Sequence, residues 1–577
     1  MAEYLSPGVY VEEFDSGAKP MEGVGTSTAG FIGLAEKGPV VGVPQLVTNF
    51  ADFKRTYGGY LSENEFGEYR FLAYAVEHFF INGGARCFVT RVVPSDAKQS
   101  IGFAPSENEG VVRFIAKNPG CWGDRVKVTV SPASKAKTQI LKVIGNKTYL
   151  VKNGVGFLPG DVVAFTVKGE TDAVYNRVVS NQDNVVAFEE EFPEDVVDTS
   201  LLPVKVISTC EMNLEVKYED LNETYENVSF NINASGYIGK KLAKSDLVIA
   251  EYIAEKSEEP IAPYDEITSY GQAAAVIGLS GGSNGSVSNI SAADFIGEDN
   301  GAGRRTGIQA FVDNDVVSVI AIPGVTDPNV QLTLVAHCEN LGSRFAVLDV
   351  PRDAKKVQDV IAHRDIFDSS YAALYHPWLE VFDPLDKKNM ALPPSGSVAG
   401  IFARSDNTRG VHKAPANEVV RACVGLDCQF NKGEQDILNP KGVNLIRVFP
   451  GQGIRVWGAR TVSSDGSWKY VNVRRLFIFI EETIKANTSW AVFEPNDEVL
   501  WVRVQRTISV FLTNLWRGGS LAGSSADEAF FVNIGRNTMS QDDIDNGRLI
   551  CVIGVAPVKP AEFVIFRITQ KTNEASE

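Results

Sequence analysis

Apolar and polar positions change texture three times along this chain of 577 residues. From Ala29, AGFIGLAEKGPV reads as a strand that closes in a Gly-Pro turn. EYRFLAYAVEHFFINGG places apolar residues at helical spacing and predicts a helix stopped at Gly83 and Gly84, because glycine caps helices readily. CFVTRVV then alternates as a strand, so the opening predicts a layered α/β unit. Between about 121 and 265 the runs shorten. VKVTV, TQILKVI, KTYLVKN, DVVAFTVKG, VVAFEEEF and LEVKYED are strand-like stretches broken by Gly, Pro and Asn, the pattern of a small β-rich domain. From 311 the α/β texture resumes. VVSVIAIPGV, RFAVLDVP and YAALYHPWLEVF predict strands, with NVQLTLVAHCENLGS and KKVQDVIAHRDIFDSS as helices between them. Nearly continuous apolar strands between helices predict a mostly parallel sheet covered on both faces.

Past 440, NLIRVFPGQGIRVWGARTV predicts strands. RRLFIFIEETIKANTSW and VLWVRVQRTISVFLTNLWRGG predict helices, and LICVIGVAPVKPAEFVIFRITQ predicts two closing strands. Each terminus carries a strand with no neighbour at hairpin distance. Near the start, Val9, Val11 and Glu13 alternate with Tyr10, Glu12 and Phe14 after a Ser-Pro-Gly turn. Near the end, Phe563, Ile565 and Arg567 alternate with Val564, Phe566 and Ile568, beyond Pro557 and Pro560. The organisation expected is therefore an extended arm over 1–25 and a central α/β domain from 26–120 and 266–439. An inserted β-rich domain takes 121–265, an α+β C-terminal domain 440–558, and a strand-forming arm 559–577.

Charge changes this picture in one respect. The net charge is −17, which argues against a nucleic-acid binder, since such proteins carry a basic footprint. The acid is concentrated in residues 181–266, with 20 Asp and Glu against 6 Lys and Arg, whereas residues 441–520 hold 6 against 11. That asymmetry fits an acidic outer part and a basic patch turned toward an acidic partner, or a solvated acidic face and no more. No apolar run reaches the ~18 residues that a membrane helix needs. The first thirty residues lack a basic start and an apolar stretch, which predicts cytosolic synthesis without a secretory route.

Candidate chemistry is sparse. Gly25-Thr26-Ser27-Thr28-Ala29 matches the surroundings of a subtilisin-type serine, but that triad runs Asp, His, Ser, and Ser27 precedes every histidine. Gly278-Leu279-Ser280-Gly281-Gly282 fits a nucleophile elbow, yet a loop, GSNGSVSN, stands where a helix is required. The same loop lacks the Lys-Ser/Thr of a phosphate cradle. The histidines (His78, His337, His363, His376, His412) show no metal spacing, and the seven cysteines are scattered apart from Cys423 and Cys428. No catalytic residue, cofactor or metal is expected.

Several stretches carry a specific likeness. LSPGVYVEE followed by TSTAGFIG resembles the amino-terminal signature of contractile tail sheath proteins, the family of bacteriophage tails, R-type pyocins and extracellular injection systems. NPGCWGDRVKV is similar to the family's Asn-Pro-Gly-x-Trp-Gly element. LSGGSNG, RTGIQAF, VVSVIAIPGVTDPNVQ and RFAVLDVP resemble successive pieces of its central domain. SGSVAGIFARSDNTRGVHKAPAN matches a further block, with His412 where the family usually has Trp. GARTVSSDGSWKYVNVRRLFIFIEETI, LWRGGSLAGSSADEAFFV and RLICVIGVAPVKPAEFVIFRI resemble its carboxy-terminal domain. These pieces run in family order from residue 5 to 568 and are weakest over 121–265.

The resemblance implies a subtilisin-like layered central domain, where the label describes topology rather than activity. It implies a structural subunit that polymerises with itself into a six-fold helical sleeve around an inner tube, bounded by baseplate and cap or terminator proteins. Assembly would take place in the bacterial cytoplasm, and the product would be a phage tail or an extracellular or cell-associated particle. No nucleic acid or membrane insertion is implied. Terminal arms would exchange strands between copies, which assigns Val9, Tyr10, Val11, Glu12 and Phe14, and Phe563 to Ile568, to inter-subunit pairing. Gly17, Gly23 and Gly25 would be the arm hinge. Arg474, Arg475 and Arg517, from the basic stretch, are the candidates to face an acidic tube. The rival expectations are a non-contractile shell or surface-layer subunit, and a serine hydrolase using Ser27 or Ser280.

Overall fold

The computed structural model describes residues 21–104, 111–166, 173–198, 206–253, 262–267 and 275–565. The predicted parallel sheet is its largest feature. In chain order its strands are β1 (Ala29–Leu34), β2 (Gln45–Val47), β3 (Cys87–Val92), β4 (Val319–Ala321), β5 (Phe345–Asp349) and β6 (Ala372–His376), then β7 (Glu418–Val419), β8 (Val443–Phe449) and β9 (Gly453–Val456). They stand side by side as β2-β3-β1-β4-β5-β6-β8-β9-β7. The six from β3 to β8 run parallel, and β2, β9 and β7 are antiparallel edges.

Both faces of the sheet are covered, as continuous apolar strands require. Phe31, Val89, Phe345, Val347 and Tyr375 pack on one side against α1 (Leu72–Asn82) and α4 (Ser395–Arg409). Their neighbours Ile32, Ala346, Leu348 and Leu374 pack on the other against α2 (Pro328–Leu341) and α3 (Val357–Arg364). The alternation is the two-residue period of a strand buried twice. Helices α1 and α4 meet backbone to backbone: a Cβ at Gly400 would collide with the carbonyl oxygen of Phe79. Helix α2 starts where the sequence signals it, with the Asp327 carboxylate accepting from the Asn329 and Val330 amides and Pro328 at the first turn.

Two expectations shift. YAALYHPWLEVF is not one strand: β6 stops before Pro377, and Leu379–Asp383 pairs instead with Lys388–Leu392 and Gly425–Leu426 in a separate antiparallel sheet. Proline has no N–H to give a central ladder, so the run divides there. Strands β8 and β9 close the large sheet, although the sequence texture puts them past the edge at 440.

The short strands predicted between 121 and 265 form three further sheets, which draw strands from the wider span Ile101 to Gly278. Ile101–Ala104, Val112–Ala116 and Val248–Tyr252 form one sheet. Lys127–Ala133, Glu211–Tyr218, Leu221–Val228 and Ala275–Gly278 form a second. A third, of seven strands between Lys137 and Thr209, has its own core around Tyr149, Val163, Phe188 and Phe192. Ser280 follows a strand but leads into a loop and a bridge to Ile101, not into the helix of an elbow.

Four histidines are buried in this framework. Burial lowers His78, His337, His363 and His376 to about 4, so the folded state holds them neutral. Their stabilising contribution is complete above the unfolded value of ~6.5 and is lost as pH falls toward 4, each worth up to roughly 3 kcal/mol. Asp349 works in the opposite sense. Its burial raises it to about 6, against the bonds from Ser395 and the Gly324 amide, so its contribution is full at low pH and lost as pH rises through 6. Four groups outweigh one. The urea midpoint of the chain is expected to drop steeply between pH 6.5 and 4.5, and a flat profile over that range would contradict this reading.

Candidate assembly interface

The C-terminal region is built on two long helices, α5 (Val471–Thr488) and α6 (Glu498–Arg517), and a hairpin of β10 (Phe530–Ile534) and β11 (Cys551–Val555). Leu476 and Ile480 of α5 pack with Leu500, Trp501, Val504, Ile508, Phe511 and Leu512 of α6, and Val532 closes the cluster from β10. Among the described residues the hairpin is a sheet of two strands, in register from Phe530 opposite Val555 to Ile534 opposite Cys551. Its outer face carries Phe531 and Val552, both exposed, with the Phe531 ring lying where a Cβ on Gly554 would sit. Two-stranded sheets are marginal in water, and their open edges template further strands.

Val9, Tyr10, Val11, Glu12, Phe14 and Gly17 lie outside the described residues, as do Phe566, Arg567 and Ile568. Gly23 and Gly25 are described. The chain from Met21 to Thr26 is strapped along α5. The Glu22 amide donates to Asn487 Oδ1 at 3.2 Å, Asn487 Nδ2 returns a bond to the Glu22 carbonyl at 2.9 Å, and the Val24 amide donates to Thr483 Oγ1 at 3.3 Å. A Cβ on Gly23 would press on the Phe479 ring. Close approach to the helix accounts for glycine at 23, whereas a Cβ on Gly25 would meet only the end of the Arg86 side chain at 3.2 Å.

Phe563, Val564 and Ile565 are described and form no strand with any described residue. They are 72, 70 and 79% exposed. The residue just before them is held firmly. Arg460 donates to the Glu562 carboxylate through Nε at 2.7 Å and Nη2 at 2.5 Å, and Asn439 Nδ2 adds a third bond at 2.8 Å.

The basic patch needs a correction. Arg475 and Asp406 form an ion pair at 2.5 Å with both side chains 3% exposed, and Arg475 also donates to the Thr26 carbonyl at 2.9 Å. Arg474 is buried over the Trp468 ring at 3.5 Å, with Nε donating to Ser370 Oγ at 3.0 Å. Both guanidinium groups are buried against residues of their own subunit. Arg517, at the end of α6, is exposed. It continues a stripe of Val499, Val502, Arg503, Arg506 and Val510 along the outer side of that helix. From Val499 to Ala526 the chain has no acidic residue, so this face is apolar and basic. In the preceding turn Phe493 is fully exposed with φ of 69°, a conformation that bulky residues avoid.

Sequence reasoning missed Asp406, Arg460, Thr483, Asn487 and Glu562. Each acts on a residue dozens to hundreds of positions away, and no periodicity reports such a pairing. His412, at the position expected to be aromatic, sits with Nδ1 3.0 Å from Ser520 Oγ, and its carbonyl accepts from Asn472.

Residues 300–462 match the phage tail sheath protein central domain, and residues 463–571 match the phage tail sheath C-terminal domain. A putative prophage major tail sheath protein of Pseudomonas aeruginosa is 26% identical over 310 residues, 52% of this chain and 78% of that one. The chain belongs to the contractile tail sheath family. The tail sheath protein of Salmonella phage ViI is 27% identical over 191 residues, which span 28% of this sheath chain and 30% of the phage protein. Over 100% of both chains, the sheath fold is similar to that of the PVC sheath complex of an extracellular contractile injection system in its contracted state, with a TM-score of 0.52 at 21% identity. The central match ends at 462, beyond β9, which agrees with β8 and β9 belonging to the large sheet.

Proposed function

We propose that this sheath protein polymerises with copies of itself into a six-fold helical sleeve around an inner tube, and that the sleeve shortens and widens to drive the tube into a target. The arms of each copy add strands to the β10–β11 hairpin of its neighbours. One observation carries this reading: the apolar segment Phe563 to Ile565 is exposed and unpaired among the described residues, while the β11 edge of a two-stranded hairpin in the same region has no backbone partner among them, the β10 edge being met by Gln505 of α6. Strand addition supplies main-chain bonds for affinity and side-chain alternation for register. Six such bonds at a net ~0.5–1.5 kcal/mol each give roughly 3–9 kcal/mol per joint before ordering costs.

The stroke draws on free energy stored at assembly, in a lattice held by a kinetic barrier with bistable interfaces. Baseplate and cap proteins terminate the sleeve. Assembly takes place in the bacterial cytoplasm, and the finished part belongs to a phage tail or a contractile particle. The six parallel strands between helical layers support a subtilisin-like central domain, with the insertion as the acidic outer domain and the α5–α6 region as the inner one. The tube-facing role passes from Arg474 and Arg475 to the α6 stripe, where Arg503, Arg506 and Arg517 meet an acidic tube wall.

Electron microscopy tests the reading. The purified chain is expected to form hollow, striated cylinders, whereas flat sheets or closed shells would indicate a rigid surface-layer or capsid subunit. On the same grids, reversing Arg503, Arg506 and Arg517 to Glu is expected to abolish sheath growth along purified tube protein at physiological salt. Unchanged growth would remove α6 from the tube contact.

A further inference from the structure

Helix α5 is bonded near each of its ends to one of the two terminal stretches of the described chain. At its C-terminal end, Asn487 and Thr483 hold the backbone of Glu22 and Val24. The strap then runs back along the helix to Thr26, which is fixed by Arg475 and Asp406. At the N-terminal end, Asn472 Nδ2 donates to the Val558 carbonyl at 3.2 Å. The Tyr470 hydroxyl donates to Glu562 at 3.2 Å, and Lys469 Nζ stands 3.8 Å from the same carboxylate. Asn472 and Asn487 are fifteen residues apart, which sets the two joints roughly 22 Å from one another along a rigid helix.

The grip on Glu562 is of an unusual kind for a chain end. Both guanidinium edges used are on one planar fork, so the contact fixes direction as well as position. Arg460 is itself immobilised. Its Nη1 donates to the Asn439 carbonyl at 3.0 Å, its amide donates to Asn444 Oδ1 at 2.7 Å, and its side chain is nearly buried. A long side chain already fixed in this way spends little entropy on the pair, unlike a surface ion pair. The next three residues, Phe563 to Ile565, are the exposed apolar ones. A carboxylate therefore occupies the last anchored position before the exposed apolar segment.

We propose that Arg460 and Glu562 are positioning residues, a lock that sets the direction in which the C-terminal arm leaves the subunit, with α5 as the strut that holds this exit at a set distance from the N-terminal one. This deepens the strand-exchange reading and rests on it. An arm on a swivel samples many directions and must be ordered when it pairs. A locked arm presents its strand to one neighbour, which lowers the ordering cost of every joint.

The test uses the full chain with Glu562→Gln, Arg460→Lys and the exchanged pair Arg460→Glu with Glu562→Arg. Glutamine keeps the size of the side chain at a partly exposed position, so the subunit folds. The first readout is the wobble of a fluorophore attached at Ile565 through a genetically encoded ketone, measured by time-resolved anisotropy in dilute monomer. The second is the rate of tube formation. Glu562→Gln is expected to widen the wobble and slow tube formation about ten-fold, the factor equivalent to ~1.4 kcal/mol. Arg460→Lys is expected to act in the same direction, and the exchanged pair to recover most of both. Unchanged wobble in Glu562→Gln overturns the lock. Wider wobble with tubes forming at the wild-type rate shows that the pair does not direct assembly, and also overturns the proposal. Where either result overturns the lock, a chain lacking 559–577 separates the two readings: if it still forms tubes, strand exchange fails as well, and if it does not, strand exchange stands and only the lock is lost.

Discussion

Removing residues 1–15 is expected to leave a folded, soluble monomer that no longer forms long tubes. The deletion takes away the strand formers Val9 to Phe14 and stops short of the strap, whose bonds from Glu22, Val24 and Thr26 to α5 and Asp406 remain. The central sheet begins at Ala29 and loses nothing. Folding and assembly are thereby separated: the core is unaltered, while the proposed lattice would lose a set of inter-subunit backbone bonds at every joint. Size-exclusion chromatography reports the monomer and electron microscopy reports tube length. A truncated chain that polymerises at the normal rate and length would refute the role given to the amino-terminal arm.

Asp406→Ala strikes the subunit itself. It leaves the Arg475 guanidinium buried beneath the strap with no carboxylate, and it removes the acceptor for Thr26 Oγ1 at 2.7 Å. Breaking one half of a buried pair costs about 3–5 kcal/mol, because the remaining charge is left uncompensated. Replacing both partners with apolar residues, Arg475→Met with Asp406→Leu, is expected to recover much of the loss, since neither charge is then buried. Urea denaturation of Asp406→Leu, Arg475→Met and the double variant gives the coupling directly. A loss below about 1 kcal/mol in Asp406→Ala would show that the pair is solvated and that the strap is not held by it.

The contrast between Arg474 or Arg475 and Arg517 shows what a linear pattern conveys about a charged stretch. Composition correctly marks residues 441–520 as basic, but charge content carries no direction. Successive positions on α5 turn by about 100° each. Which of them meets α4, Trp468 or solvent depends on how α5 lies against the rest of the subunit. The glycine just ahead of β1 illustrates the same limit from the backbone side: Gly23 reads as freedom in a sequence, and as close approach to the Phe479 ring once the chain is folded around it.

By itself the sequence determined the alternation of strands and helices, the doubly covered sheet, the β-rich insertion and the family, because each is written in local periodicity or in contiguous motifs. Tertiary structure alone decided that Pro377 divides one apolar run between two sheets, that β8 and β9 belong to the large sheet, and that Arg475 serves Asp406 while Arg460 holds Glu562. Those outcomes depend on partners far along the chain, chosen by the high cost of leaving a charge or a backbone donor buried without its complement.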